Sequence, residues 1–452
     1  MRFRKALKRG WRLALPLAGM QLGYQLLSVV DVAVLGHYDS AALAGVGIAT
    51  SVLNAFLWLG TGVIMGLDTL IPQAAGANND SQGRLLFDTG LRLCLLVAIP
   101  VTLATATIPT LLELAGVAPE ATAFAAPYIW ARLPSLAPHL IFAAQRSYLQ
   151  SYENTRPLVI AMIAGNIVNL FADWLFVFGD PGLVRLGLPP IGFPELGVTG
   201  AGLATSLVSL TSMAVGFYYT RPKSKRARTW DFELARRTVK LGLPVGLQLL
   251  AEVGIFALAA VLAGRISDFA AATHMVALTM ASTSFSAALG ISAATSVAVG
   301  RDIGALDTPQ ARAAGWAGVF MGVVLMGVAG LFFFLFPFEL GALFTSDPEV
   351  AQAAVPLIRI AAVFALSDAI QVAATGALRG AGDTTATFVG NAIGHYLIGL
   401  PIAVFLAFHL NMGPAGLWWG LTAGLTLVAV VLIARFDRLT RNPISPQLPL
   451  ES

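Results

Sequence analysis

Two acidic residues interrupt long apolar segments in the second half of the chain. Glu252 stands near the middle of LQLLAEVGIFALAAVLAG, and Asp368 is similarly central in the apolar segment 352–375. A carboxylate at the centre of a bilayer costs roughly 2.5–3.5 kcal/mol on insertion scales, so an acid at that depth usually serves a function. Because their depths match, the two acids could share a cavity, hold a proton there or bind a cation. The alternative is a hydrogen-bonded acid in a helix contact, with Gln248 as the partner of Glu252.

A second set of polar residues occurs in the first half of the chain. Asn169 and Asp173 are four residues apart and therefore share one helix face. Asp31 and Thr205 lie at about the depth of Asp173 in their own apolar segments, because each residue adds about 1.5 Å of helix rise. Carboxylate, amide and hydroxyl oxygens suit a hard cation, and two close carboxylates also suit a shared proton. A polar cluster that only joins helices is the alternative, and Asn166, one turn from Asn169, is a weaker candidate.

The composition places both sets of residues in a membrane protein. The chain has 452 residues, of which 57% are hydrophobic and 12% are charged. Soluble domains are about 45–50% apolar and about 25% charged. The one cysteine, Cys94, excludes an internal disulfide and is expected to be an apolar packing residue.

Twelve apolar segments are long enough to cross a bilayer, which takes about 20 residues in a helix. They lie at residues 13–36, 47–72, 86–110, 123–144, 158–179, 199–219, 240–264, 275–298, 313–337, 352–375, 386–408 and 414–434. Glycine and proline occur inside many of them, as membrane helices tolerate.

Basic residues predict the orientation of the chain. Lys and Arg are concentrated before the first span, in the segment 220–240 and after the last span. By the positive-inside rule both termini are cytoplasmic, which agrees with an even number of crossings. The basic start resembles a signal peptide, but no small-residue cleavage site follows, so we expect a retained first span. These residues orient the protein and contact lipid headgroups, and we expect no nucleic-acid partner.

The two halves of the chain resemble each other. A shift of 228 positions sets Gly36 on Gly264 and Gly76 on Gly304. Each half has six spans, as in transporters with parallel repeats, which place their sites near the midplane between halves. The sequence therefore predicts an all-α integral membrane protein of two pseudo-symmetric six-helix bundles. We predict a first lobe at 1–219, a cytoplasmic linker at 220–239 and a second lobe at 240–452.

Four segments together resemble the multidrug and toxic compound extrusion (MATE) family, over essentially the whole chain. They are VVDVAVLGHYDSAALAGVGIAT, LPVGLQLLAEVGIFALAAVLAG, HMVALTMASTSFSAALGISAATSVAVGRDIGA and SDAIQVAATGALRGAGDTTATF. The acid of the seventh span and the acid before ALRGAGDT are similar to those of the NorM-like branch. The resemblance implies a V-shaped fold and secondary antiport, in which organic, often cationic drugs leave the cell as Na⁺ or H⁺ enters.

The resemblance also implies roles for the two sets of polar residues. Asp31, Asn169, Asp173 and Thr205 match a cation or proton site in the first lobe, where Na⁺ is the metal ion expected. For Glu252 and Asp368, we predict a second-lobe site where an ion and a cationic drug compete for one charge. The weaker cavity candidates are Gln248, Phe256, Phe285 and Phe364. At the position of Phe364 some relatives have a tyrosine, whereas the phenylalanine here offers a π-face but no hydroxyl.

Other classes of function find less support in the sequence. The main alternative is a flippase for lipids or lipid-linked saccharides, which would need a more basic cavity for a pyrophosphate. An intramembrane hydrolase or prenyltransferase would need a catalytic pair or an aspartate-rich motif on one helix face, and no nucleotide or hydrolase motif occurs. We therefore expect no enzyme and no cofactor beyond the coupling ion. The expected partners are drugs and membrane lipid, and a monomer is the working expectation.

Three further charged residues have simpler predicted positions. Arg132 and Arg359 lie inside spans, where they are expected to reach the outer interface or to pair with cavity groups. Asp68 is near the inner end of the second span and is expected to lie within reach of water. The location predicted for the whole chain is the plasma membrane, which is the inner membrane in bacteria.

Overall fold

A computed structural model describes residues 1–221, 230–345 and 347–448. In these ranges the regular structure is helical throughout. The helices of the first half are α1 Arg2–Tyr38, α2 Ser40–Ile64, α3 Leu67–Gly76, α4 Asp80–Ala106, α5 Ile108–Leu114, α6 Pro119–Ser151, α7 Arg156–Arg185 and α8 Gly197–Thr220. Those of the second half are α9 Phe232–Ile266, α10 Asp268–Gly304, α11 Thr308–Leu335, α12 Pro337–Ala342, α13 Pro348–Ala381, α14 Thr384–Ala392, α15 Leu400–Val404 and α16 Gly413–Leu439.

Eleven helical segments of the described chain are long and apolar enough to cross a membrane. Helix α6, which covers the predicted span 123–144, has 33 residues but falls outside these eleven. Its sequence carries Arg132, His139 and Arg146 and three internal prolines, so it is more polar than its neighbours. The helices also extend beyond the predicted spans, because backbone hydrogen bonds continue where the side chains become polar. Helix α10, for example, covers 268–304 around the predicted 275–298.

Side-chain caps define where several helices begin. Asp39 accepts a hydrogen bond from the Ala42 N–H at 2.8 Å at the start of α2. Ser267 accepts one from the Ala270 N–H at 3.0 Å at the start of α10. Such caps satisfy backbone donors that have no partner in the first turn. The connection between α9 and α10 is therefore a sharp break at one residue.

Three helical regions depart from α geometry. Helix α7 breaks at Gly179, where φ is 56° and ψ is −147°, a conformation that only glycine adopts readily. After the break, Asp180 accepts hydrogen bonds from three backbone N–H groups of the loop at residues 191–193. Between α14 and α16 the chain forms π-helical turns at Ile393–Gly399 and Phe405–His409. Such turns often occur at functional sites.

The described chain divides into two compact units. The first, called the carboxyl-terminal unit, comprises residues 1–21, 68–83 and 240 onwards. Its most extensive helix contacts join α13 to α10, α11 and α16. Its core includes Trp418, Phe364 and Leu357, all at most 4% exposed. Thus the start of α1 and almost all of α3 pack with the second half of the sequence.

The second, called the amino-terminal unit, comprises residues 22–67 and 84–239. Helix α8 makes its main contacts with α6 and α7. Gly202 of α8 lies against the Tyr128 carbonyl, so small residues let these helices approach closely. The lobes proposed at 1–219 and 240–452 stay a prediction. Part of the predicted linker, with Lys223, Lys225, Arg226 and Arg228, lies outside the described residues.

Candidate functional site

The amino-terminal unit brings three of its four predicted site residues together. Asn169 of α7 donates its Nδ2 group to Oδ1 of Asp31 at 2.9 Å and to Oδ2 of Asp173 at 2.5 Å. Asn169 and Asp173 are fully buried, and Asp31 is half-buried. One amide thus joins two carboxylates that lie 142 positions apart in the sequence. We call this group the amino-terminal acid site.

This site has more hydrogen-bond acceptors than donors. Oδ1 of Asn169 and Oδ1 of Asp173 are buried and have no donor among the described residues. The carboxyls of Asp31 and Asp173 accept from the same Nδ2 group of Asn169, so they lie close enough for their charges to interact. Because two ionised carboxylates repel at such a distance, the arrangement suits a shared proton or a cation that bridges the oxygens. The residues therefore fit Na⁺ as well as H⁺.

Two other candidates point elsewhere. Thr205 donates its hydroxyl to the Ala201 carbonyl of its own helix at 3.0 Å, and within the described part of the chain no hydrogen bond joins it to the acid site. Asn166 donates to the carbonyls of Gly23 and Met162 at 3.1 and 2.9 Å. Asn166 therefore joins α7 to α1, whereas the position of Thr205 as an ion ligand stays a prediction.

Helix α6 contributes two residues that the sequence did not assign to this site. Arg132 is only 8% exposed and interacts electrostatically with Asp173 and with Tyr128. Tyr128 is 4% exposed, and its hydroxyl accepts a hydrogen bond from Thr50 at 3.3 Å. Their spacing of four residues on one helix face was the available signal. Arg132 is thus buried near the site, and its pairing with cavity groups stays a prediction.

Arg359 and Asp68 have opposite environments, since Arg359 lies on the surface and Asp68 lies in the interior. Arg359 is exposed, with its guanidinium 5.8 Å from the ring centroid of Phe334. Asp68 is 1% exposed, so the expectation that it lies within reach of water is wrong. The reason is that α3 packs inside the carboxyl-terminal unit.

The carboxyl-terminal unit surrounds Glu252 with amide side chains. Oε1 of Glu252 accepts hydrogen bonds from Nε2 of Gln248 at 3.0 Å and from Nε2 of Gln371 at 2.9 Å. Nε2 of Gln371 also donates to Oδ1 of Asn391 at 3.2 Å. All four residues are at most 9% exposed. The network joins α9, α13 and α14, and with Asp368 it forms what we call the carboxyl-terminal acid site.

Asp368 has a different environment from Glu252. It is 4% exposed, and its Oδ2 atom is buried with no hydrogen-bond partner among the described residues. Its carboxyl is close enough to Glu252 for the two charges to interact. Oε1 of Gln248 is a further buried acceptor without a donor. This site, like the first, therefore presents unpaired oxygen atoms.

Three aromatic rings pack together about one helical turn from Asp368. Phe364 lies one turn before Asp368. Its ring centroid is 6.0 Å from that of Phe256 and 5.7 Å from that of Trp418. These rings belong to an apolar core cluster of the carboxyl-terminal unit or pack against it. Phe285 packs against a different cluster around Met326. The three aromatic cavity candidates thus lie in two places.

Sequence reasoning missed Gln371 and Asn391. Gln371 lies three positions after Asp368 and on the same helix face, which was the available signal. Asn391 precedes the π-helical turn that begins at Ile393, and Tyr396 of that turn donates to the Ala251 carbonyl at 2.8 Å. Uncharged polar residues are common in membrane helices as contacts between helices. The sequence alone therefore did not distinguish Gln371 and Asn391 from residues that only join helices.

Comparisons with known proteins agree with this architecture. The sequence profile of the MatE family matches residues 16–175 and 244–405. A protein of Rhodopseudomonas palustris named probable multidrug resistance protein NorM is 34% identical over 96% of this chain and 92% of its own length. The multidrug resistance protein NorM of Aliivibrio fischeri is 29% identical over 98% and 96%. A solved structure of the eukaryotic MATE transporter AtDTX14 has a TM-score of 0.85, with 24% identity and 98% of both chains covered.

Proposed function

Because the chain belongs to the MatE family, the multidrug and toxic compound extrusion transporters, we propose that it exports organic, mainly cationic compounds in exchange for H⁺ or Na⁺. The relatives named above are multidrug resistance proteins. Eleven candidate membrane spans among the described residues agree with an integral membrane transporter.

One observation carries the proposal: each unit contains a buried group of oxygen acceptors that lacks donors. These are Oδ1 of Asn169 and Asp173 in one unit and Oε1 of Gln248 and Oδ2 of Asp368 in the other. A buried acceptor without a partner costs about 1–3 kcal/mol. A proton, Na⁺ or an organic cation would supply the missing positive charge at either site.

Coupling follows from competition for these oxygens. When an ion or proton neutralises a carboxylate, the site loses its attraction for a cationic drug, and a bound drug in turn reduces the attraction for the ion. Both acid sites have this property, so either could carry the exchange. The flippase alternative needs basic groups for a pyrophosphate, whereas the hydrogen-bond donors to Glu252 are the amides of Gln248 and Gln371.

The orientation of the proposed transporter follows from its basic residues. With both termini in the cytoplasm, the basic clusters face anionic lipid headgroups, and the protein resides in the plasma membrane or the bacterial inner membrane. Membrane lipid and drugs are then its partners, and neither an oligomer nor a nucleic acid is required. No reaction chemistry is needed for this exchange.

The test is transport of ethidium, a fluorescent organic cation, into inverted vesicles under an imposed pH gradient and then under an imposed Na⁺ gradient. The variants are Asp31→Asn, Asp173→Asn, Glu252→Gln and Asp368→Asn. We expect variants of the coupling site to lose at least about tenfold in gradient-driven rate, since breaking a buried charged group costs several kcal/mol and each ~1.4 kcal/mol is tenfold.

The matched control is Glu113→Gln, which removes an exposed acid at the end of α5. This variant should transport at the rate of the unmodified chain under both gradients. Retained transport in the first two variants excludes the amino-terminal acid site from coupling, and retained transport in the last two excludes the carboxyl-terminal one. If all four variants transport normally, the proposal of acid-based coupling is wrong.

A further inference from the structure

Helix α3 meets the end of α10 in a reciprocal contact inside the carboxyl-terminal unit. The Cα of Gly76 lies against the Arg301 carbonyl, and that of Gly304 lies against the Gln73 carbonyl, with no room for a side chain at either glycine. The hydroxyl of Ser296 donates to the Asp68 carbonyl at 3.2 Å, and these two residues are 228 positions apart. This separation equals the shift between the two repeats, so the hydrogen bond joins equivalent positions of the two repeats. We call this contact the axis seam.

Side chains of α3 also donate hydrogen bonds to backbone carbonyls at the end of α13. The Thr69 hydroxyl donates to the Arg379 carbonyl at 2.6 Å, and Nε2 of Gln73 donates to the Gly380 carbonyl at 3.0 Å. Both carbonyls belong to the last turn of α13, which ends at Ala381. The last four carbonyls of a helix lack partners within it. Both bonds are buried, so they can open only if water reaches the seam and replaces the two donors.

The chain after α16 crosses this seam. The Gln447 N–H donates to Oε1 of Gln73 at 2.7 Å, and the Ile444 N–H donates to the Thr308 hydroxyl at 3.1 Å. Leu448 is only 4% exposed although it lies close to the end of the chain. Gln73 therefore links three segments, since its side chain bonds both α13 and this tail. We call residues 443–448 the strap.

The seam lies at the end of the unit that holds the amino terminus. Arg9 of α1 forms an ion pair with Asp302 at 2.9 Å, and Arg2 forms one with Asp307 at 3.3 Å. Asp302 lies in the last turn of α10, and Asp307 caps the start of α11, so both acids are within three residues of Gly304. Under the proposed orientation this end faces the cytoplasm.

We propose that the strap is a latch that holds the axis seam closed on the cytoplasmic side, and that its release lets α3 separate from α10 and α13. The proposal rests on the transport function above, because an exporter must open its site to the cytoplasm to load. Separation exposes backbone carbonyls together with the apolar side chains of Leu70 and Ile71, which are fully buried while the seam is closed. The strap adds one part-buried hydrogen bond to Gln73 and the burial of Leu448, which bias the seam towards closure.

The test measures access to the seam with a single cysteine. Ser296→Cys places a thiol at the seam, in a background where the buried Cys94 is replaced by Ala. A membrane-impermeant maleimide is added to inverted vesicles, and the rate of labelling is recorded. Ending the chain after Asn442 should raise this rate by about tenfold or more, since the strap's lost bonds and apolar burial exceed ~1.4 kcal/mol. Ending it after Leu448 keeps the strap and should leave the rate unchanged.

A point variant addresses the same bond if the shortened chain fails to fold, as judged by gel filtration. Gln447→Pro removes the N–H that donates to Gln73 and should raise the rate about fivefold, whereas Ser445→Ala, on the exposed side of the strap, should not. Equal labelling of all folded variants, or faster labelling only from the opposite membrane face, overturns the latch. The labelling needs neither drug nor ion gradient. If the labelling contradicts the latch, the transport proposal is therefore unaffected. If transport is absent, the labelling can still be interpreted.

Discussion

Amide side chains organise both acid sites at the level of single residues. Asn169 donates to Asp31 and Asp173, and Gln371 donates to Glu252 and Asn391. An amide supplies a donor without adding a charge, so the site keeps its negative potential. The oxygen of the amide can then coordinate a cation or accept a hydrogen bond from a cationic group.

Gln371→Leu tests this role at the carboxyl-terminal acid site. The change leaves Glu252 with one amide donor and removes the donor of Asn391, which should destabilise the folded protein by about 1–3 kcal/mol. We also expect a weaker apparent affinity for ethidium, because Glu252 loses the contact that fixes its orientation. Both effects are measurable, by thermal denaturation in detergent and by the concentration dependence of vesicle transport.

The control for this variant is Ser367→Ala, one turn earlier on the same helix, where the hydroxyl bonds Thr426 on the exposed side at 2.8 Å. It should leave the affinity for ethidium unchanged. An unchanged affinity in Gln371→Leu would show that this amide only joins helices.

At the level of elements, the break in α7 ends the regular helix that carries Asn169 and Asp173 of the amino-terminal acid site. Asp173 lies on the regular part of α7, and Gly179 turns the chain less than two turns later. A Cβ at Gly179 would lie 2.6 Å from the Glu195 nitrogen and 2.7 Å from the Pro194 carbonyl carbon. Glycine is therefore required there both for its backbone angles and for its lack of a side chain.

Gly179→Ala should lower stability by about 2–3 kcal/mol, from backbone strain together with the clash. Gly187→Ala separates the two causes. Gly187 also has positive φ, 74°, but no atom lies near its absent Cβ within 4 Å, so only about 1–2 kcal/mol of strain is expected. Thermal denaturation in detergent should show the larger loss for Gly179→Ala. Equal losses would mean that the loop at 194–195 moves aside.

At the level of the whole molecule, the repeat of the sequence appears as a physical contact. Gly76 and Gly304 are equivalent positions, and each lies against a carbonyl of the other segment. Residues 68–83 belong to the first repeat in sequence but to the carboxyl-terminal unit in contacts. The lobes predicted at 1–219 and 240–452 follow the repeat of the sequence and stay a prediction.

Gly76→Ala and Gly304→Ala should destabilise the protein by similar amounts, about 1–3 kcal/mol each, because each added methyl group meets a backbone carbonyl. Gly19→Ala is the control, since no atom lies within 4 Å of its Cβ position. That change should be neutral or stabilising by up to about 1 kcal/mol, as helix propensity favours alanine. Denaturation temperatures check the three variants. A loss confined to one of the first two would contradict the reciprocal contact.

The sequence by itself determined the membrane class, the helical architecture, the repeat and the positions of four acids inside apolar segments. These properties are local, since hydropathy and composition decide which segments cross a bilayer and acids are costly there. The tertiary structure alone decided which residues touch. It joined Asn169 to Asp31, brought Gln371 and Asn391 to Glu252, buried Arg132 and Asp68, and left Thr205 bonded to its own helix. Contacts between residues more than a hundred positions apart depend on how helices pack and rotate, and that information is not contained in the period or polarity of any one segment.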